Sequence, residues 1–259
     1  MHRTTHRLKM FAEALPLACQ DIGEGRPYLI LHGGAGPNSV KGLAEALAAK
    51  GRAVTPIHPG FDGEPRPAWF SRVSDLALAY LDLLERLDLR DVILVGNSIG
   101  GWIASEMGLR MSPRVAGMVL LNPVGIDTGS SDRHIVDPLA IAPAERARLA
   151  FHDPARFAIA PAGPEAAAAM AANQQTLRAY AGDPFMHDPG LRARLAGLAL
   201  PSMVLWGESD GIVDVDYGRL FATSMPTSRF VPIAQAGHFP HIEQLDTVVN
   251  LIEEFAANR

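Results

Sequence analysis

Short apolar runs alternate with amphipathic segments along most of this chain. Runs rich in Val, Ile and Leu between glycine or polar positions are typical of buried strands, and apolar residues spaced by three and four are typical of helices. The pattern predicts strands at 28–32, 53–57, 92–96, 115–121, 202–206 and 229–233, and helices at 39–50, 72–87, 99–111, 217–225 and 243–257.

This alternation predicts an α/β fold with a mostly parallel central sheet and helices on both faces. Ligands in such sheets bind beyond the carboxyl ends of the strands. Ahead of the first of these strands, the apolar stretch Phe11–Cys19 is interrupted by Glu13 and Pro16. It therefore predicts a first strand pair, turning at Asp21–Gly25, and not the apolar core of a signal peptide.

The interval 125–189 breaks the alternation. It is rich in proline, lacks a convincing strand and contains the alanine-rich run Glu165–Ala172. Its apolar side chains favour packed helices over a linker. We therefore expect an α/β core at 1–124 and 190–259 and a helical cap at 125–189. Whether the apolar side chains of the cap line an acyl pocket or pack within the cap stays open.

Composition and charge narrow the class of protein that this chain can be. With 259 residues, 48% of them hydrophobic, the chain can bury one large core. A net charge of −5 argues against a nucleic-acid partner, and the sequence has no apolar run of the ~20 residues that a membrane span needs. The single cysteine fits a reducing compartment, so we expect a cytoplasmic protein that acts on a small molecule. No metal is expected, because His134, His152 and His187 lack helical partners at i+4.

One strand-to-helix junction carries the strongest chemical signal. The motif Gly-Asn-Ser-Ile-Gly at 96–100 follows the apolar run Val92–Val95 and precedes the helical spacing at 99–111. Its glycines permit a turn so tight that the serine hydroxyl stands clear of the sheet. Unpaired N–H groups at the start of the helix favour negative charge at the same place. Ser98 is therefore the candidate nucleophile.

A serine nucleophile needs a base to take its proton and an acid to orient the base. His238 follows the last predicted strand and precedes the final amphipathic segment, Ile242–Phe255, and this placement distinguishes it from the other histidines. The loop after the strand at 202–206 offers four carboxylates as the acid: Glu208, Asp210, Asp214 and Asp216.

Backbone donors for an oxyanion are expected after the strand at 28–32, where the chain reads His-Gly-Gly-Ala-Gly-Pro at 32–37. Small residues let N–H groups face a ligand without an intervening side chain. We expect the Gly34 N–H, with Ala35 as the alternative, to form an oxyanion hole with the Ile99 N–H. His32 is expected to support this loop structurally.

The chain order Ser98, carboxylate, His238, together with the glycine-rich loop, resembles the α/β-hydrolase superfamily, particularly bacterial esterases with a helical cap. The resemblance extends from Leu15 to Phe255 and includes His58–Gly63, which is similar to the family's loop after its second core strand. It implies acyl transfer to water with no cofactor. It also implies that Asp210 is the acid, since the family places a carboxylate three residues beyond the glycine that ends this strand.

Several activities stay open within that superfamily. The serine disfavours the dehalogenases and epoxide hydrolases that use an aspartate nucleophile. The motif at 96–101 resembles hydrolases that cleave carbon–carbon bonds of aromatic ring-fission products, but those carry Trp after the histidine, where this chain has Phe239. We expect a carboxylesterase for a small to medium apolar ester, with a C–C hydrolase or a lactonase as alternatives. A non-hydrolytic ligand-binding protein on the same fold is the alternative of another class.

Two sets of side chains are candidates for contact with the substrate. The lining of the pocket is predicted to include Ala35, Phe151, Phe157, Phe185 and Phe239. An acidic substrate would be met by an arginine of the cap, although a solvated helix face is favoured for most of the candidates, which are Arg146, Arg148, Arg156 and Arg178.

Overall fold

An eight-stranded sheet runs through the protein in a computed structural model, which describes residues 2–130, 135–158 and 163–259. The strands, of which β7 and β8 lie outside this sheet, are β1 (Arg3–Met10), β2 (Leu15–Gly23), β3 (Pro27–Leu31), β4 (Arg52–Pro56), β5 (Val92–Asn97), β6 (Val115–Leu121), β7 (Gly125–Ile126), β8 (His187–Asp188), β9 (Ser202–Gly207) and β10 (Ser228–Ile233). The helices are α1 (Lys41–Leu47), α2 (Val73–Arg86), α3 (Ile99–Gly108), α4 (Pro143–Ala150), α5 (Pro154–Phe157), α6 (Pro164–Ala181), α7 (Leu191–Leu195), α8 (Val215–Thr223), α9 (Pro240–Glu243) and α10 (Leu245–Ala257).

The strand order of the main sheet is β1-β2-β4-β3-β5-β6-β9-β10. Strand β2 is antiparallel to β1 and β4, and the other neighbouring strands are parallel. The predicted α/β class with a mostly parallel sheet is confirmed.

Apolar side chains on successive strand residues point to opposite faces of this sheet, as the pleat requires. On β5, Leu94 belongs to the cluster that includes Met107 of α3, while Val95 belongs to the cluster that includes Ile252 of α10. Helices therefore bury both faces, and only the ends of the parallel strands remain for a ligand.

The first hairpin differs from the sequence prediction. Strands β1 and β2 pair from Arg3 opposite Ile22 to Met10 opposite Leu15, so the turn lies at 11–14, and Asp21–Gly25 instead covers the end of β2. Every second residue of β1 is exposed, as in a strand at the edge of a sheet. A polar edge strand lacks the apolar run from which strands were predicted, so β1 was missed.

Helix boundaries differ from the predictions by a few residues, and at α8 a capping side chain accounts for the difference. Helix α8 begins at Val215, two residues earlier than predicted, since the Asp214 carboxylate accepts a hydrogen bond of 2.7 Å from the Tyr217 N–H. Such an N-cap satisfies a donor that the helix itself leaves unpaired.

Strands β6 and β9 are neighbours in the sheet, so the chain between them is an insertion at the carboxyl end of β6. Residues 125–189, called the inserted segment below, hold α4, α5 and α6. A two-residue parallel pairing of β7 with β8 joins the ends of this segment, where no strand was predicted. A pair so short has no periodicity for a sequence to reveal. Residues 131–134 and 159–162 of the segment, and with them His134, lie outside the described ranges.

None of the helices within the described ranges combines the length and the apolar character that crossing a membrane requires.

Candidate active site

Ser98 lies at the junction of β5 and α3 with φ 56° and ψ −120°. A residue with a Cβ adopts positive φ only at a cost, which the surrounding structure must offset. The flanking glycines make the junction sterically feasible, since a Cβ on Gly96 would overlap the backbone of Gly100 and a Cβ on Gly100 would overlap the carbonyl of Leu31. The Ser98 hydroxyl makes no hydrogen bond to any described residue, so it is available for chemistry.

His238 and Asp210 meet in the loops that follow β10 and β9. The Nδ1 atom of His238 is 2.8 Å from Oδ2 of Asp210, and each residue is at most 7% exposed. Since a carboxylate only accepts hydrogen bonds, Nδ1 donates, and Nε2 is left as the lone-pair nitrogen of the neutral ring. Such a ring can accept a proton at Nε2 while the carboxylate stabilises the resulting cation.

The Asp210 carboxylate is held by three further donors. The Asn122 side-chain amide donates to Oδ2 at 2.7 Å, and the backbone N–H groups of Ile212 and Val213 donate to Oδ1 at 2.9 and 3.1 Å. The Asn122 side-chain oxygen in turn accepts a hydrogen bond of 3.1 Å from the Gly207 N–H. It follows β6, the neighbour of β9, so the sheet itself places the amide beside the carboxylate. The sequence analysis did not anticipate this contact.

A second asparagine joins the serine loop to the histidine loop. The side-chain amide of Asn97 donates to the carbonyl of His238 at 3.0 Å and to the carbonyl of Leu121 at 3.1 Å. Asn97 directly precedes Ser98, so this contact links the loop that carries Ser98 to the backbone of His238.

The glycine-rich loop after β3 lies against Ser98. A Cβ on Gly33 would come within 3.2 Å of the Ser98 Cβ. The Gly33 carbonyl accepts hydrogen bonds from His32 Nδ1 at 2.8 Å and from the Gly36 N–H at 3.1 Å. In a trans peptide the next N–H points the opposite way, so the Gly34 N–H points away from both donors. No described residue accepts it, nor the N–H of Ile99 at the start of α3.

Two stacked, buried histidines support that loop. The rings of His32 and His58 lie 3.7 Å apart; His58 Nε2 donates to the His32 carbonyl at 2.9 Å, and the His58 N–H donates to His32 Nε2 at 3.1 Å. Burial lowers the pKa of His32 to about 4 and holds that of His58 well below its usual range. Both rings are therefore neutral at pH 7, and each nitrogen has one fixed role.

Helix α6 of the inserted segment lies over the loops around Ser98. On one face, Asn173, Thr176 and Tyr180 make hydrogen bonds of 2.8, 2.8 and 2.9 Å to the backbone of loop 59–62. Their spacing of three and four residues puts them on one side of the helix. The face of α6 that meets the core is therefore fixed by polar contacts to one loop.

Leu177 lies on the same face and reaches the candidate oxyanion donor. It is 6% exposed, and a Cβ on Gly34 would lie 2.5 Å from its Cδ2 atom. Gly34 is thus required for room as well as for an open N–H. Leu177 was not among the predicted pocket residues, although its helical spacing with Asn173 and Tyr180 is a signal that the sequence offers.

The predicted pocket aromatics divide into two groups. Phe151 and Phe239 have ring centroids 5.2 Å apart, and Phe239 lies 5.3 Å from the His238 ring, so these two adjoin the site. The half-buried Phe157 lies 4.8 Å beneath the Arg156 guanidinium, and Phe185 packs on the larger hydrophobic cluster. Their described contacts do not bring them to Ser98. Ala35 is exposed, on the loop beside Gly34.

The arginines considered for an acidic substrate have partners elsewhere. Arg148 pairs with Glu145 at 2.6 Å, Arg178 pairs with Asp137 at 3.1 Å, and Arg146 donates to the Pro138 carbonyl at 3.1 Å. Arg156 covers the ring of its neighbour, Phe157. The described partners of these four arginines therefore all lie within the inserted segment itself.

Within the described ranges, no three His, Cys, Asp or Glu side chains are grouped to hold a metal ion.

The chain matches known proteins over nearly its whole length. A sequence model of the alpha/beta hydrolase family matches residues 28–251. A 2-hydroxymuconate semialdehyde hydrolase of Pseudomonas putida is 26% identical over 92% of this chain and 89% of its own. A 2-hydroxy-6-oxo-2,4-heptadienoate hydrolase, also of Pseudomonas putida, is 25% identical over 92% of this chain and 91% of its own.

Solved structures with the same fold include two kinds of hydrolase. A thermophilic esterase from Thermogutta terrifontis superposes with a TM-score of 0.73 at 24% identity, over 100% of this chain and 99% of the esterase. A meta-cleavage product hydrolase from Pseudomonas fluorescens superposes with a TM-score of 0.77 at 20% identity, over 94% of each chain. At these identities the structural matches establish the fold alone.

Proposed function

Because this chain belongs to the alpha/beta hydrolase family, we propose that it is a serine hydrolase that cleaves a small to medium apolar carboxylic ester through an acyl-enzyme. The observation that carries the proposal is the buried 2.8 Å contact between His238 and Asp210, in a loop that Asn97 ties to Ser98, whose hydroxyl has no hydrogen-bond partner among the described residues. A protein that only bound a ligand would have no use for an oriented base beside a free hydroxyl.

The geometry supports the following roles. His238 Nε2 takes the proton of Ser98 as its oxygen attacks the ester carbonyl, and Asp210 stabilises the imidazolium that forms. The N–H groups of Gly34 and Ile99 stabilise the oxyanion. His238 then returns the proton to the leaving alcohol, and water repeats the sequence on the acyl-enzyme. No cofactor takes part.

We further propose that the inserted segment is a helical cap over this site and that residues 1–124 and 190–259 form the α/β core. Leu177 lies beside the oxyanion donor and Phe151 beside Phe239, so an acyl chain bound at Ser98 would meet apolar side chains. Apolar lining with few polar groups suits an uncharged acyl group.

Cleavage of a carbon–carbon bond in a ring-fission product is the second candidate, because the relatives named above are hydrolases of such compounds. The compounds in those names carry a carboxylate. Since Arg146, Arg148 and Arg178 are bound to partners within the inserted segment, the ester is favoured here.

The deciding experiment compares initial rates on p-nitrophenyl esters of two to eight acyl carbons, on an aliphatic lactone and on a dienone ring-fission product, with Ser98→Ala as the blank. We expect Ser98-dependent turnover of the esters with the largest kcat/KM. Faster turnover of the dienone would replace the ester by the second candidate. If wild type and Ser98→Ala give equal rates throughout, the chain is not a serine hydrolase.

A further inference from the structure

Glu243 ends helix α9 and is a carboxylate only 9% exposed. It has no cationic partner within the described ranges. Its oxygens instead accept three backbone hydrogen bonds: Oε2 from the Gly237 N–H at 2.6 Å and the His152 N–H at 3.2 Å, and Oε1 from the Asp153 N–H at 3.0 Å. A charge buried this far is costly unless such charge-assisted bonds satisfy it. Glu243 therefore needs all three donors in place.

The donors come from two parts of the chain that both adjoin His238. Gly237 immediately precedes the histidine, while His152 and Asp153 belong to the turn between α4 and α5 of the inserted segment. The same turn makes a direct contact, since the His238 N–H donates to the carbonyl of Ala150 at 2.7 Å. The Glu243 carboxylate thus joins the inserted segment to the histidine loop at a single buried point.

The Asp210 contact alone leaves His238 free to pivot about Nδ1, because one hydrogen bond does not fix the direction of a ring. The backbone contacts supply the remaining constraints: Ala150 holds the His238 N–H, and Asn97 holds its carbonyl. Glu243 holds the peptide just before and the turn that carries Ala150. A shift of about 1 Å in a catalytic group can cost about 10²-fold in rate.

We propose that Glu243 is a positioning residue for His238, a clamp that fixes residues 150–153 of the inserted segment against the histidine loop. The proposal rests on the proposed function, since it assigns Glu243 to the base of that reaction. It implies that movement of residues 150–153 moves His238 with them. This side of the inserted segment is therefore part of the catalytic frame, whereas α6 contacts the oxyanion side.

The test is Glu243→Gln, which keeps the side chain's size but turns one acceptor oxygen into an amide that faces an N–H donor. The matched control is Glu254→Gln, which changes an exposed carboxylate on the next helix, α10. On a p-nitrophenyl ester we expect kcat to fall on the order of 10- to 100-fold in Glu243→Gln, with KM changed less than about twofold. Glu254→Gln should match wild type in both.

Amide hydrogen exchange distinguishes loss of the clamp from destabilisation of the whole fold. In Glu243→Gln the amides of Gly237, His152 and Asp153 should exchange faster, while those of α6 keep their wild-type rates. Equal kcat in Glu243→Gln and wild type would overturn the clamp and leave the proposed function standing. A wild type without Ser98-dependent turnover would overturn both.

If Glu243→Gln does not fold, wild type alone decides. The amides of His152 and Asp153 lie in a turn outside any helix or strand, where exchange is ordinarily fast. Slow exchange at both, matched to Gly237, supports the clamp. Exchange at the rate of a free chain would overturn it.

Discussion

The loops at the carboxyl edge of the sheet and the inserted segment contribute to one site by different means. Ser98 follows β5 directly, Asp210 lies three residues after β9 and His238 five residues after β10, and β5, β6, β9 and β10 are successive neighbours in the sheet. Hydrogen-bonded strands therefore bring these residues together wherever they lie in the sequence. The inserted segment has no such register, and its residues reach the site through side chains of α6 and through backbone groups of residues 150–153.

This difference separates chemistry from selectivity. Short backbone segments with glycines and fixed φ hold the groups that we propose to react, and those segments tolerate little change. Leu177, Phe151 and Phe239 only fill space beside them, so other apolar residues can replace them at modest cost. We expect substitutions of Ser98, Asp210 and His238 at the sheet edge to abolish reaction, and substitutions in α6 of the inserted segment to change which substrate reacts.

The largest expected effect is that of Ser98→Ala. The hydroxyl forms the covalent bond and packs little, so turnover of p-nitrophenyl butyrate should fall on the order of 10⁴-fold or more. Thermal unfolding should stay within a few degrees of wild type, which shows that the fold is intact. Near-normal turnover by a folded Ser98→Ala protein would contradict the assignment of the nucleophile.

Asp210→Asn should be nearly as damaging, lowering kcat by about 10⁴-fold, because an amide facing Nδ1 no longer stabilises the charged ring. Asp214→Asn is the matched control, since Asp214 lies in the same loop but caps α8. It should leave kcat unchanged and cost at most about 1 kcal/mol of stability, measured by urea unfolding. The reverse ranking of these two variants would move the acid to Asp214.

Leu177→Ala tests whether the inserted segment controls which substrate reacts. Removing the side chain beside Gly34 makes room for a longer acyl group, at about 0.8 kcal/mol per buried methylene. The ratio of kcat/KM for octanoate over butyrate should therefore rise roughly tenfold, with Leu78→Ala, on an exposed part of α2, as the control. An unchanged ratio would remove Leu177 from the pocket.

The smallest expected effect at neutral pH is on the free energy of unfolding, and it comes from the buried histidines. Burial lowers the pKa of His32 to about 4 and that of His241 to about 3, against about 6.5 in the unfolded chain. Between pH 6.5 and these values the unfolded state binds more protons, so the free energy of unfolding falls as pH falls. Each such histidine contributes about 1.4 kcal/mol per pH unit.

Urea unfolding between pH 6 and 5, where few carboxylates titrate, measures this directly. His241→Gln should reduce the slope by about 1 kcal/mol per pH unit, and substitution of the exposed His2 should not. An unchanged slope in His241→Gln would mean that this ring is not held neutral in the folded state.

Much of the sheet edge could be predicted from sequence because its determinants are local. The glycines around Ser98, the apolar run before it and the position of His238 after the last strand are all visible within a few residues of each site. Strand β1 escaped because an edge strand with one exposed face has no apolar run. Contacts between distant segments escaped as well: Asn122 beside Asp210, Leu177 beside Gly34 and Glu243 beside His152 depend on packing that no local pattern encodes.

The central claim, an activated serine at the edge of the sheet, is tested most directly by a fluorophosphonate probe with the labelled residue mapped by mass spectrometry. Only a serine paired with a base reacts quickly with such a probe. We predict rapid, stoichiometric labelling of the peptide that contains Ser98 in wild type, much slower labelling in Asp210→Asn and none in Ser98→Ala. Labelling of another residue, or of none in wild type, would contradict the account.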